Sequence, residues 1–286
     1  MNCNEKESSD FLFKILLVLI TCLLYSLQAF AHGDLSVRIE HKTQQILKTP
    51  DNFKLYYERG MLYQQHIEFA KALEDYLKSE SLGNTQKVLK YHMAEVYYLT
   101  ENYSEALIHI TACLEKESTD VKSKKLEAQI LFNLKAYKQS LSAYQYVINT
   151  MVDFRPEDII EYTHIILAEN NENYDEALNV IEIGLNQLGG NTLSLQLKKL
   201  DYLKASNALE QAMQQYDYFI LEYNRKEFWY FKKAQYLMEN NKHNEAMVSL
   251  QLATLSIEQL DSKFKNMESI LELKSDIKTL EKSLNL

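Results

Sequence analysis

From Phe53 onward, residues of matching size return every 34 positions: Gly60, Ala94 and Ala128; Phe69, Tyr103 and Tyr137; Ala72, Ala106 and Ser140; Tyr76, Ile110 and Tyr144. A recurrence of this length, held at several positions at once, calls for the same neighbours around each copy. A stack of like units supplies them, whereas one irregular core does not. Inside each copy the spacing is helical. Tyr56, Gly60 and Tyr63 fall at i, i+4 and i+7 on one stripe, and Phe69, Ala72, Leu73 and Tyr76 form a second. The pattern predicts two helices, 53–65 and 69–82, joined by a short link around His66 and Glu68. Gly60 and Ala72 are small where such helices cross, since a larger side chain would hold the axes apart. Only 6 Gly and 2 Pro occur in 286 residues, too few for the tight turns of an all-β chain.

The period continues with local departures. After the third copy a longer link, Met151 to Pro156, stretches the spacing to 37 between Ser140 and Ala177, and Pro156 suits the first position of a helix. Gly189-Gly190-Asn191 reads as a helix stop. The fifth copy is degenerate, with Leu200, Leu203, Leu209, Ala212, Tyr216 and Phe219, and the sixth recovers with Tyr230, Ala234, Leu237, His243, Ala246, Leu250 and Ala253. A helix over 35–48 ahead of the array and one from Phe264 to Leu284 behind it read as terminal caps.

On these residues the chain resembles the tetratricopeptide-repeat family. The first copy matches the family pattern at Tyr56, Gly60, Tyr63, Phe69, Ala72, Tyr76 and Ser79, and the second at Ala94, Tyr97, Tyr103, Ala106, Ile110 and Cys113, with Lys90 departing from the expected aromatic. The third copy also departs at Lys124. The run from Glu101 to Leu107 resembles the family's turn into its second helix. The resemblance covers about 53–258 and implies an all-α, right-handed superhelical solenoid of about six helix pairs. The organisation expected is a leader over 1–31, a capping helix within 32–52, the solenoid over 53–258 and a C-terminal capping helix over 259–286.

The leader breaks the composition of the repeats. Residues 11–31 read FLFKILLVLITCLLYSLQAFA, with Lys14 their one charge. The apolar heart has the length of a signal-peptide core, and Ala29-Phe30-Ala31 supplies the small-x-small cleavage pattern, so cleavage after Ala31 and export to the periplasm or exterior are expected. The alternative is an uncleaved membrane anchor, because Glu5, Lys6, Glu7 and Asp10 are not the usual basic cluster. Thr21 ahead of Cys22 speaks against lipoprotein processing. With Cys3 and Cys22 in the leader, Cys113 would be the one thiol of the mature chain, read as a small buried core residue.

Composition and motif spacing narrow the chemistry. A formal charge of -9 argues against the clustered basic surface that nucleic acid requires. The 7 His are scattered, with no paired-Cys metal spacing and no phosphate-binding glycine loop. His243 falls at a core position of its repeat, His66 in a turn and His109 on a helix surface. Cleavage after Ala31 would leave His32 at the N-terminus, able in principle to chelate copper, but exposed ends are usually disordered and no metal or cofactor is assigned. Carboxylate pairs such as Glu115 and Glu117 are what 40 Asp and Glu on helices produce by chance, so no enzyme is expected.

The family resemblance implies that the first helix of each repeat lines a concave groove. By register this places Tyr57, Tyr91, Lys125, Tyr162, Leu197 and Phe231 in it, with Met61, His92, Glu95, Tyr98, Phe132, Phe228 and Met238 beside them. Such a row of rings and methionines predicts a surface for a peptide or protein segment. The competing reading is that some of the rings pack between repeats. The clamp with which one branch of the family holds C-terminal carboxylates is mostly missing: Tyr57, Met61, His92 and Leu126 stand at its polar positions, and only Lys122 fits. Two further readings remain open, a groove closed by a second copy of the chain and an accessory subunit of an exported enzyme.

Overall fold

The computed structural model describes residues 34–284, and the regular elements among them are all α-helices. The leader, its cleavage site after Ala31, Cys3, Cys22 and His32 lie outside the described residues. A first helix, α1, covers 34–48. Six hairpins follow. They pair α2 (Phe53–Gln65) with α3 (Phe69–Ser81), α4 (Lys87–Leu99) with α5 (Tyr103–Lys116), and α6 (Val121–Asn133) with α7 (Tyr137–Thr150). They continue with α8 (Pro156–Glu169) and α9 (Tyr174–Leu188), α10 (Leu193–Ala205) and α11 (Leu209–Glu222), and α12 (Lys226–Glu239) and α13 (His243–Glu258). Two more helices, α14 (Ser262–Lys265) and α15 (Glu268–Leu284), close the chain. The single C-terminal helix expected from Phe264 is thus divided at Asn266, whose φ of -100° and ψ of 5° leave the helical range. Asn does this readily, since its side chain competes for backbone hydrogen bonds.

The chain forms two compact units, one ending at Thr150 and one beginning at Met151. The boundary falls on the link where the period lengthens. Pro156 opens α8 as its first residue, and the Arg155 amide donates to Asp158 Oδ2 at 2.7 Å to cap it.

In the first unit the small residues work as their spacing predicts. A Cβ on Gly60 would lie 2.6 Å from Cε1 of Tyr76, a ring that is fully buried, as is Ala72. An ion pair absent from the sequence reading fastens α1, α2 and α3 together. The Arg59 guanidinium donates from Nε and Nη2 to the two oxygens of Asp75, each at 2.8 Å, and from Nη1 to Thr43 Oγ1 at 3.0 Å. Asp75 is buried, and the hydrogen bond to it raises the Arg59 pKa. Fork-to-fork pairing of this kind is among the stronger charged contacts.

Five of the turns inside the hairpins share one closure. The second residue past the first helix adopts left-handed backbone at Ile67, Glu101, Lys135, Asn207 and Asn241, with φ between 57° and 65°. The next amide then reaches back to the helix, as Glu68 does to the Tyr63 carbonyl at 2.9 Å and Asn102 to that of Tyr97 at 2.8 Å. Asn tolerates this conformation. Ile67, branched at Cβ, does not, and left-handed backbone costs a non-glycine residue roughly 1–2 kcal/mol.

In the second unit Gly184 keeps the same kind of close approach, with Ile159 and Leu195 side-chain atoms 3.0 Å from where its Cβ would be. Buried polar groups find each other: Thr163 Oγ1 and the Tyr202 hydroxyl are 2.7 Å apart, and Gln215 Nε2 donates to Gln196 Oε1 at 2.6 Å. The end of this unit is sealed by Ile270, Leu273 and Ile277 of α15 on Ala246, Leu250, Ala253 and Ile257 of α13. Two histidines depart from expectation. His243 is exposed at the start of α13, where it points away from the core, and His109 is half-buried, its ring stacked on Tyr97 at 5.2 Å. Cys113 is buried with its Sγ 3.4 Å from Ser123 Oγ.

Candidate binding face of the first unit

Helices α2, α4 and α6 are neighbours in the first unit, because each is the first helix of consecutive hairpins. Tyr57, Met61 and Gln64 come from α2, Tyr91, His92, Glu95 and Tyr98 from α4, and Lys122 and Phe132 from α6. At the centre is Glu95. Its Oε2 accepts from Gln64 Nε2 at 2.6 Å and its Oε1 from the Tyr91 hydroxyl at 3.0 Å, while the Tyr76 hydroxyl donates to Gln64 Oε1 at 2.7 Å. His92 Nδ1 lies 3.4 Å from Glu95 Oε2 without a well-aligned hydrogen bond. The His92 ring is enclosed by Tyr57, Tyr76 and Tyr91, with centroids 5.9, 6.1 and 5.6 Å away.

The electrostatics follow from these contacts. Burial alone would raise the Glu95 pKa, but the nearby His92 and the hydrogen bonds from Gln64 and Tyr91 outweigh it and hold the carboxyl below its ordinary value, so it is ionised at neutral pH. Burial pushes the phenols of Tyr57, Tyr76 and Tyr91 upward, so they stay neutral donors. The ring of Tyr91 also carries the Lys122 ammonium over its face at 4.3 Å.

Beside this network lies a cleft of about 470 Å³, lined by Met61, Gln64, Gln65, Ile67, Phe69, His92, Glu95 and Leu99. Three of its apolar members are left in water: Met61 is 40%, Leu99 50% and Ile67 69% exposed. A second cleft, of about 550 Å³, runs between α1 and α2 past Val37, His41, Lys42, Glu58 and Met61.

The residues expected in the groove divide into four groups. Tyr57, Met61, His92 and Glu95 meet around the network just described. Tyr91 and Tyr162 are buried, at 8% and 4% exposure, so the expectation that they present their rings to the surface does not hold; Tyr91 turns its hydroxyl into the network, and Tyr162 packs within the second unit. Tyr98 and Phe132 are half-buried and lean on the rings of Tyr103 and Tyr137 in their own hairpins, at 5.8 and 5.6 Å. Phe228, Phe231 and Met238 in the second unit pack against the cluster built by α12, α13 and α15, and are half-buried there. Packing between helices, weighed above as the competing reading, accounts for these rings. Gln64 and Ile67 were missed. Gln64 is on the groove-facing stripe of α2 and could have been found by register, whereas Ile67 lies in a turn that carries no periodic signal.

Neither a protein-family model nor a curated protein sequence matches the chain. Solved structures do. The C-terminal part of a TPR repeat-containing protein from Cytophaga hutchinsonii superposes with a TM-score of 0.63 at 15% identity, over 85% of this chain and 96% of that one. A tetratricopeptide repeat protein from Parabacteroides merdae gives a TM-score of 0.54 at 15% identity, over 84% and 91% of the two chains. The chain has a tetratricopeptide-repeat-like fold. A third match, TM-score 0.52 at 13% identity over 89% of this chain and 44% of the other, is in the structure of Naa15/Naa10 bound to HypK. At such identities the likeness concerns the fold. None of the described helices is long and apolar enough to cross a membrane.

Proposed function

We propose that the protein is a non-enzymatic scaffold that grips an extended segment of a partner protein on the α2–α4–α6 face of its first unit, and that it works in the exported fraction. The observation that carries the reading is the cleft beside Glu95, where an ionised carboxylate and exposed Met61, Ile67 and Leu99 share one concavity. Apolar side chains gathered in a concavity around a few fixed polar groups are the usual composition of a binding site. Support for a protein or peptide partner also comes from the fold, whose stacked hairpins present long surfaces, and the formal charge of -9 discourages acidic partners and nucleic acid. Support for export comes from the leader sequence, and N-terminal sequencing of the exported form, showing a chain that begins at His32 or retains residues 1–31, decides how it is processed.

A photo-crosslinking residue placed in turn at Met61, Leu99 and Leu77 tests the face. Leu77 is 48% exposed on α3 and serves as the control. A partner adduct from Met61 and Leu99 and none from Leu77 is expected. Equal labelling from all three positions, or none from any, would refute the assignment. Adducts between two copies of the chain would assign the face to self-association instead.

A further inference from the structure

Two features of the cleft are unaccounted for by peptide gripping in general. The first is that Glu95 has no strong cation of its own. Among the described residues no Lys or Arg lies within ion-pair distance of it; His92 is its one chargeable neighbour, and Lys122 is held over the Tyr91 ring. An ionised carboxylate accepts roughly four hydrogen bonds, and Gln64 and Tyr91 fill two of those places. Whatever occupies the cleft strips water from this charge. An apolar occupant would leave it buried and unpaired, and an acidic one would set like charges together; both are costly.

The second feature is Ile67. It combines left-handed backbone, a branched Cβ and 69% exposure. The same place in the other turns of this type holds Glu101, Lys135, Asn207 and Asn241, none of them apolar. Within the chain Ile67 therefore bears backbone strain and hydration cost without a matching gain, and it does so at the rim of the cleft. Strain that the fold does not need is grounds for seeking a function at that residue.

We propose that the cleft takes one lysine or arginine side chain of the partner segment, its aliphatic stem lying on Met61, Ile67 and Leu99 and its cationic head pairing with Glu95. Lys and Arg are the side chains that join an apolar stem to a charge of this sign. The net negative charge of the chain attracts a basic segment over a longer range. The inference rests on the reading of this face as peptide-binding and specifies the chemistry of what it binds.

The test selects phage-displayed random short peptides on the full chain and then measures the affinity of the best synthetic binder by fluorescence anisotropy. The selected peptides are expected to share a Lys or Arg beside an aliphatic residue. Glu95→Gln should weaken binding by about tenfold or more, as should replacing the basic residue of the peptide by norleucine, and the two changes together should cost little more than either alone. Ile67→Asn should weaken binding several-fold while raising Tm, a pairing that a purely structural role would not produce. Peptides that bind and crosslink at Met61 but carry no basic residue, or whose affinity is unchanged by Glu95→Gln, would overturn the cation assignment and leave peptide gripping standing. Failure to select any peptide, together with no adduct at Met61, would overturn both.

Discussion

Tyr57 and Phe231 hold the same place in their repeats and have opposite fates. Around Tyr57, α4 brings His92 and Glu95 against Gln64 of the same helix as the ring, so the space beside it is filled by a polar network and ends in a cleft open to water. Around Phe231 the chain supplies α15, and the ring joins the apolar cluster that seals the end of the second unit. Register places a side chain on a helix face; the element that arrives next decides whether that face is surface or core. A stripe of rings on the first helices of a repeat array is therefore an ambiguous signal until its coverage is known.

The contrast can be broken most strongly at its polar end. Asp75→Ala leaves the half-buried Arg59 guanidinium without its buried carboxylate, and the expected loss is about 3 kcal/mol, at the low end for a buried pair because Arg59 keeps contact with water. Hydrogen exchange should show α2 and α3 opening first while α12, α13 and α15 keep their protection, as local interfaces in a repeat array predict.

At the apolar end, Phe231→Ala should cost about 2–3 kcal/mol, somewhat below a fully buried Phe because the ring is half-exposed. Partner crosslinking through Leu99 should persist in that variant. Met61→Ala should reverse the pattern, lowering stability by under about 1 kcal/mol and reducing the adduct formed at Leu99. Chemical denaturation and crosslinking run on both variants compare core with surface directly.

Gly60→Ala probes how tightly the first hairpin is closed. The added methyl meets the buried Tyr76 ring, and a loss of about 1–3 kcal/mol is expected, measured by the same denaturation. Because the Tyr76 hydroxyl holds Gln64, and Gln64 holds Glu95, this variant should also loosen the cleft.

The smallest effect concerns pH. Burial against Tyr97, then the charge of Lys90, depresses the His109 pKa, so the folded state favours the neutral ring. The stability this provides is complete above the ordinary histidine value of about 6.5 and declines as the pH falls below it toward the folded value. Glu95, also depressed, loses its contribution in a more acidic range, as the pH falls below the ordinary carboxylate value. Thermal melts of the wild type and His109→Gln across pH 7 to 5 should converge on acidification, the wild type losing more.

Most of the fold was legible in the sequence because its determinants are local and repeated. The bounds of α2 and the start of α3 follow from the stripe of Tyr56, Gly60 and Tyr63 and from the 34-residue return of Phe69. The longer link before Pro156 was legible too, but that the chain divides into two units there was not. Less of the site was legible. Tyr57, Met61, His92 and Glu95 were reached by register, but register could not tell that Tyr91 and Tyr162 would be buried, since a helix face is covered or left open by residues far away in the chain. Arg59 and Asp75 were invisible for a related reason: two charges 16 residues apart on different helices have no periodic mark.

What the sequence by itself determined is the helical hairpin and its recurrence, because small residues at helix crossings and rings between them act through spacing along one chain. What only the tertiary structure decided is which of those rings are spent on packing, that among the described residues Glu95 has no Lys or Arg beside it, and that Ile67 holds a strained turn at the edge of a cleft. These depend on distances between helices, and such distances are set by how side chains fill the space after the helices have formed.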